Sequence, residues 1–442
     1  MKQIAVIGGG AAGLAAAVRA GQMVRTAGAS VRVSVLEADE RVGRSILRTG
    51  NGRCNVSNAH VEPGVYCNAD FVEQALRQLE ETYYVRDPAV ADEEQLPGLP
   101  ARNAVLDFLS GWGLVLHEEA EGRLYPVTNK ATTVLNVLRS AAAQLGVEER
   151  VNCRVESVEA PAHEGGVFTL RLADGSFFRA QAVIVACGGT VARDLLQGAD
   201  VPFVNPQPVL GPLRAHMAFV GAAGERGSRK KKPIDWLAGL NNIRISCAVS
   251  LLREGAEVAR QRGEVLFRKY GVSGIAVFNL SRFAQAGDML SIDLLPDIPS
   301  QQAPLWASRR HQLLHERYGE ALTWEHILQG LTVPAVTAVV CAAAGARPET
   351  KFAADDAAAL AQALKSIPLQ VDGVYNKEYQ CQVQRGGFGV DAFTPTCQLR
   401  TTPGLFVVGE ALDVDAPCGG YNLHWAWASG LLAAQGAVDF AL

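Results

Sequence analysis

The nine cysteines of this 442-residue chain include no C-x-x-C pair. A thioredoxin-like dithiol or a zinc ribbon needs that spacing, so neither is expected, and the scattered thiols outline no disulfide framework. An odd number of cysteines without a secretory pattern reads as reduced and intracellular, and a cytoplasmic location is expected. No stretch offers the roughly eighteen uncharged apolar residues of a membrane span, so no membrane partner is expected either. Lys2 does precede an alanine-rich run, as in a signal peptide, but glycines interrupt the run and Arg19 follows it. Neither sign of charge dominates. The 41 Lys and Arg stand against 45 Asp and Glu, and a net charge of −4 gives no hint of a nucleic-acid surface. What remains is a chain 48% apolar and 19% charged, long enough for two or three domains with a large core. Composition leaves the oligomeric state open.

The first 37 residues organise the rest. An apolar run at 3–7 leads into Gly8, Gly10 and Gly13 in G-x-G-x-x-G spacing, followed by an alanine-rich helical pattern through Arg19. A second strand pattern covers 31–36, with Glu37 at its tip. In such a β-α-β unit, Gly8 allows the tight turn and Gly10 lets backbone approach a pyrophosphate. Gly13 lets helix and strand pack closely, and the helix N-terminus faces the phosphate charge. Glu37 suits ribose hydroxyls and disfavours a 2′-phosphate. The fingerprint occurs once, so no second unit is present for a resident nicotinamide dinucleotide.

Residues 38–58 are rich in Arg, Gly and Asn and lack a clear period. A loop of this kind exposes backbone N–H groups that a phosphate or a flavin edge can use; it also fits a solvated connection. Helices are expected at 70–81 with Asp70 as cap, at 104–112 and at 132–145. An acidic, proline-bearing surface loop is expected at 87–100. Strands follow at 150–158, 167–172, 176–179 and 182–186, with a hairpin turn at Asp174-Gly175. Four prolines between Pro202 and Pro212 mark a crossing into another region, strand-rich to about Pro296. There the run RGSRKKKP at 226–233 reads as an exposed basic loop, because no aromatic residues are interleaved with its charges; a polyanion contact is the sharper alternative. Residues 300–364 read as largely helical, and strand character returns at 371–390. A buried strand at 405–410 and a helix at 423–441 then complete the sheet begun at residue 1. The nucleotide-binding domain is therefore discontinuous, with the middle of the chain inserted into it.

The blocks GGGAAG near the start, GNGRCNVSN at 50–58, GRLYPVTNKA at 122–131, GEVLFRKYGVSG at 263–274 and PGLFVVGEALDVDAPCGGYNLHWAWASG at 403–430 resemble one family in order and from end to end. It is the BaiN-like (YhiN-like) family of FAD-dependent oxidoreductases. The resemblance implies an α/β fold: a Rossmann-like FAD domain of the two-dinucleotide-binding type (1–190 plus 396–442), an inserted β-rich, barrel-like substrate domain (191–296 plus 366–395) and a small helical domain (297–365). It implies that Gly8, Gly10, Ala11, Ala12 and Gly13 hold the FAD pyrophosphate and Glu37 the adenosine ribose. Arg44 and the Asn51-Gly52-Arg53-Cys54-Asn55 loop would lie along the ribityl chain and isoalloxazine, and Val155 would offer backbone to adenine. Ala186, Gly188 and Gly189 would support the cofactor, and Gly409, Glu410 and Asp413 would lie near pyrophosphate and ribityl. Gly419, Gly420, Tyr421 and Asn422 would present the last helix's N-terminus to the flavin pyrimidine, where reduced flavin carries negative charge. No metal is implied.

The chain departs from the family at Arg268-Lys269, where threonine-histidine is usual, at Ile275 in place of proline, and at His424 in place of glutamine. The resemblance implies that these positions fall in or near the substrate region, so they bear on a transferred substrate and leave the cofactor expectation standing. The expected activity is NAD(P)H-dependent reduction of a conjugated C=C bond in a small apolar, enone-like substrate, with NAD(P)H a transient electron donor. A flavin amine oxidase producing peroxide is an alternative, as is a non-catalytic redox-responsive or RNA-binding flavoprotein. Candidate catalytic groups are Cys54 as proton donor or redox thiol, Tyr421 as proton donor, and His424. Each has a packing alternative. Arg385 and His216 are candidates for meeting substrate.

Overall fold

The computed structural model describes residues 1–86, 103–163, 165–198, 200–218, 235–375 and 383–442. The chain divides into two compact units, one formed by 1–207 with 383–442 and the other by 208–382.

The first unit is built on a parallel sheet. Its strands are β1 (Lys2–Ile7), β2 (Val31–Leu36), β3 (Glu148–Arg150), β4 (Ala182–Val185) and β5 (Leu405–Val407), in the order β5-β4-β1-β2-β3. β1 and β4 end in runs of four buried residues, as expected of strands covered on both faces. Helix α1 (Ala11–Thr26) follows β1, α2 (Ala131–Gln144) precedes β3, and α3 (Tyr421–Ala441) ends the chain. β5 lies beside β4, so a strand some four hundred residues after β1 completes the sheet and the discontinuous domain is present. α1 and α3 approach closely through small residues: a Cβ on Gly430 would sit 2.4 Å from the Ala12 carbonyl oxygen.

Local expectations are refined at several points. The loop at 38–58 contains a short helix, Arg44–Arg48, and a turn at Thr49–Gly52. Five residues are too few to show a 3.6 period in sequence. The single strand expected at 150–158 is two. Glu148–Arg150 joins the parallel sheet, the chain turns through left-handed Asn152 (φ 52°), and Val155–Glu159 opens a separate three-stranded sheet. The helix expected at 70–81 runs over Ala69–Arg86, which places Asp70 inside its first turn rather than at the cap. The expected loops at 87–100 and 226–233 lie outside the described residues.

The second unit is a closed six-stranded barrel followed by helices. Its strands are Leu213–Met217, Arg244–Arg253, Ala256–Arg268, Gly271–Ser273, Met289–Asp293 and Ile367–Val374. Between the last two come helices over Ala303–Tyr318, Trp324–Leu328, Pro334–Ala343 and Ala357–Lys365. The resemblance implies separate β-rich and helical domains. In the structure Val249, Phe267 and Ile292 of the barrel share one apolar cluster with Trp324, Val340 and Leu360 of the helices. Among the described residues no helix is long and apolar enough to cross a membrane.

Candidate functional site

The turn from β1 into α1 is fixed by close backbone approaches. A Cβ on Gly13 would meet the Gly8 carbonyl oxygen at 2.0 Å, so only glycine lets the helix start this near the strand. Gly10 is the N-cap residue and has no side chain with which to cap. The first N–H groups of a helix find no partner within it, so the turn at Gly10, Ala11 and Ala12 is built to receive an external acceptor. Glu37 closes one side: Oε2 accepts from the Gly9 N–H at 2.8 Å and Oε1 from the Asp39 N–H at 2.9 Å. The Glu37 carbonyl accepts from Cys153 at 2.7 Å, which ties the entry to the strand of Val155 to the same corner. On the other side, positions 8 and 186 are in contact distance, with a Gly8 Cβ 2.8 Å from the Ala186 carbonyl oxygen. Gly189 likewise faces the Glu410 carbonyl, and Gly409 faces Ala12. Gly188 (φ 81°) has nothing within 4 Å of where its Cβ would be, leaving open space beside the rim. Arg44 pairs with Asp39 at 3.1 Å. The expected dinucleotide residues from positions 8–13, 37, 186–189 and 409–410 are thus brought together around one strand end.

A second group forms where the 49–58 segment meets the start of α3. Gly420, the N-cap of α3, is left-handed (φ 98°), and a Cβ there would collide with the Ser57 carbonyl at 2.1 Å. With its amide in the hydrogen-bonding orientation, Asn55 accepts from the Gly420 N–H at 3.0 Å and donates to the carbonyls of Ser57 and Leu124. Asn58 Nδ2 donates to the Gly419 carbonyl at 2.9 Å and to that of Glu121 at 3.0 Å. The Tyr66 hydroxyl donates to the Tyr421 carbonyl at 2.9 Å, and Trp427 Nε1 to Val56 at 3.0 Å. The Asn422 amide spans both polar groups of Ala416, folding the preceding loop over the helix start. Farther along α3, Ser429 Oγ accepts from the Gly409 N–H at 3.0 Å.

The candidate catalytic groups differ in chemistry. Cys54 is fully buried and left-handed (φ 61°), and burial pushes its thiol up to about 11. It stays a thiol at neutral pH, which removes the thiolate that redox or nucleophilic work needs. His424 is 3% exposed, its Nδ1 lies 2.9 Å from Ser57 Oγ, and burial pulls its imidazole down to about 4. Tyr421 is part-exposed, and burial holds its phenol above the ordinary range. Glu410 is pushed up to about 7, first by burial and then by the neighbouring charge of Asp415; the Gln384 N–H, at 3.4 Å, acts in the opposite direction. A carboxyl near its protonated form is compatible with a phosphate close by. Asp413 is raised by burial and by Asp415. Arg385 Nε lies 3.8 Å from Asp415 Oδ1. His216 lies in the second unit, its exposed ring 3.1 Å from Asp372.

The Arg53 side chain is engaged by neighbouring protein groups. Its Nη2 contacts Glu119, Nε donates to Asn129 Oδ1 at 3.1 Å, and its guanidinium lies 4.1 Å from the Tyr125 ring centroid. Glu119 was not singled out in sequence, and its four-residue strand carries no pattern that would flag it. Ser57, Asn58 and Asn129 lie inside the recognised blocks and were legible there as motif without role. The residues present fit FAD: a bare glycine turn at a helix N-terminus, an acid at the second strand's tip, and a second helix N-terminus framed by a polar loop.

A family model described as HI0933-like protein Rossmann domain matches residues 101–436. The chain is 30% identical to a 3-dehydro-bile acid delta(4,6)-reductase of Clostridium scindens, covering 99% of this chain and 100% of that protein. It is 27% identical to a ribosomal RNA dihydrouridine synthase of Escherichia coli, covering 97% and 96%, and 25% identical to one of Haemophilus influenzae, covering 96% and 95%.

Proposed function

The chain belongs to the HI0933-like Rossmann-domain family and is an FAD-dependent oxidoreductase, and from that premise we propose that it reduces a C=C bond conjugated with a carbonyl, in a small apolar enone-like substrate, with NAD(P)H as transient electron donor. The observation that carries this reading is similarity along the whole chain to a reductase whose name specifies ring double bonds of a 3-oxo compound. Bound FAD supplies the hydride chemistry. The protein's residues supply the setting. Gly8 to Gly13 hold the pyrophosphate, Glu37 the ribose, and the N-terminus of α3 stabilises negative charge on the pyrimidine side. Tyr421, whose phenol burial holds above its ordinary range, is the proposed donor of a proton to the substrate carbon next to the carbonyl. Cys54 and His424 pack against this frame without exchanging protons at neutral pH. Arg385, beside Asp415, is the candidate for a substrate oxygen.

A second reading has a specific observation in its favour. The relatives from Escherichia coli and Haemophilus influenzae are ribosomal RNA dihydrouridine synthases. Making dihydrouridine also saturates a C=C bond conjugated with a carbonyl, so the chemistry is shared and only the carrier differs. The test is anaerobic. The FAD-loaded protein is mixed with NADH or NADPH and flavin bleaching is followed; the reduced form is then offered a steroid dienone or a uridine-containing ribosomal RNA fragment. Reoxidation by the dienone supports the first reading and by the RNA the second. Failure of both nicotinamides to bleach the flavin overturns the proposed donor.

A further inference from the structure

The segment 49–55 has an unusual backbone. Gly50 (φ 53°), Asn51 (φ 55°), Gly52 (φ 84°) and Cys54 (φ 61°) are all left-handed, and two of the four are not glycine. A left-handed residue with a side chain costs about 1–2 kcal/mol, somewhat less for asparagine, so this shape needs something to hold it. Local bonds contribute: Arg53 N–H to Gly50 and Cys54 N–H to Thr49, both at 3.1 Å. Those bonds close the turn on itself and do not anchor it to the fold.

Asn55 ties the end of the segment to Gly420 and Leu124, and Arg53 anchors the turn that precedes it. Its side chain leaves the turn toward the small sheet formed by Ser57–Asn58, Arg123–Pro126 and Leu116–Glu119. There it meets Glu119 through Nη2, Asn129 through Nε and the face of Tyr125. Gly50 lies against the same ring, with a built Cβ 3.6 Å from Tyr125 Cε1. His117 Nε2 lies 3.2 Å from the same Glu119 oxygen, Oε1, that Arg53 contacts. The guanidinium holds the Glu119 carboxyl below its ordinary range, so the pair stays charged through neutral pH. Every polar contact recorded for the Arg53 side chain goes to this sheet or to Asn129.

We propose that Arg53 and Glu119 are positioning residues that clamp the 49–55 turn in its left-handed shape, so that the backbone of the turn, rather than the guanidinium, meets the flavin. This rests on the FAD reading of the same site and is independent of which substrate is reduced. It assigns Arg53 a role different from the direct cofactor contact that the family resemblance implies, and it gives Glu119 a role in cofactor binding.

The test uses Arg53→Met, Glu119→Gln and the double variant of the FAD-loaded protein. Three quantities are read: the rate of FAD dissociation, the midpoint potential of the bound flavin, and the melting temperature of the flavin-free chain. With a clamp, each single variant speeds FAD loss about tenfold and the double variant is no worse than either, because both break the same unit. The potential moves in the same direction in all three, by about 30 mV for each tenfold by which oxidised and reduced flavin are held unequally. Glu119→Asp restores part of the loss. If Arg53→Met releases FAD while Glu119→Gln does not, Arg53 touches the cofactor directly and the clamp is wrong. Effects that multiply to about a hundredfold, or melting temperatures that fall while dissociation and potential stay unchanged, also overturn it. A purified wild-type chain that binds no FAD at all would defeat the underlying cofactor reading instead.

Discussion

Asn58 donates from Nδ2 to the carbonyl of Gly419 across 2.9 Å, joining residues 361 positions apart in the chain. The same amide group donates to Glu121, and Asn58 Oδ1 accepts from the His60 N–H, so the side chain is fully employed. Asn58→Leu leaves two carbonyls at the start of α3 and its neighbouring loop without their donor. A loss of about 1–3 kcal/mol in stability is expected. Calorimetry of the variant with and without FAD checks it, and the flavin-loaded form loses the larger share, because the damage lies where the cofactor is held.

The contact of α1 with α3 makes a second prediction. Gly430→Val places side-chain atoms where even a Cβ would lie 2.4 Å from the Ala12 carbonyl. The helices must separate, at about 1–3 kcal/mol or more. Gly111→Ala is the control, since nothing lies within 4 Å of its Cβ position. Matched urea titrations should show a lower midpoint for the valine variant and little change for the control.

Acid stability follows from His424. Its imidazole is pulled from 6.5 down to about 4 by burial, so between these values the unfolded chain binds a proton that the folded chain refuses. Folding stability therefore falls as pH falls from about 6.5 to 4, by about 3 kcal/mol from this residue. His424→Gln removes that slope. Denaturant midpoints at pH 7 and pH 5 for both proteins measure it; parallel slopes in the two would disprove the assignment.

Cys54 gives a chemical prediction. A fully buried thiol pushed up to about 11 holds little thiolate at pH 8. In the folded protein it should resist iodoacetamide while more exposed thiols such as Cys67 and Cys418 react. Cys54→Ala should keep the rate of flavin reduction within about threefold of wild type. Rapid labelling of Cys54, or abolished reduction in the alanine variant, would return it to the list of catalytic groups.

How much of this was legible in the sequence depends on the range of the interactions. The β-α-β unit is local: Gly8 to Gly13, an apolar run on either side and Glu37 fall in one 37-residue window, and the structure repeats that reading. The return of the chain at β5 was legible because a buried-strand pattern has few other places to go. The meeting of Asn55, Ser57 and Asn58 with Gly419 to His424 was suggested only by motif order, since no periodicity links positions so far apart. The occupation of Arg53 by Glu119 was illegible. An arginine in a glycine-rich loop looks equally ready for a cofactor or for a carboxylate, and only packing decides. The split of 150–158 at Asn152 was hidden for a related reason: a left-handed asparagine inside an alternating polar and apolar segment leaves a strand-like pattern on both sides.

The central claim is that this flavoprotein reduces a C=C bond conjugated with a carbonyl. Its most direct test is the anaerobic oxidative half-reaction. The FAD-loaded protein is reduced to colourlessness, freed of excess reductant, and mixed with a steroid dienone, while the flavin band near about 450 nm is followed. The account predicts that the band returns without oxygen and that one equivalent of product, with one C=C bond saturated, appears per flavin. A band that stays bleached with every carbonyl-conjugated alkene offered, uridine in RNA included, while oxygen restores it and an amine bleaches it again with release of peroxide, would contradict the account and identify an amine oxidase.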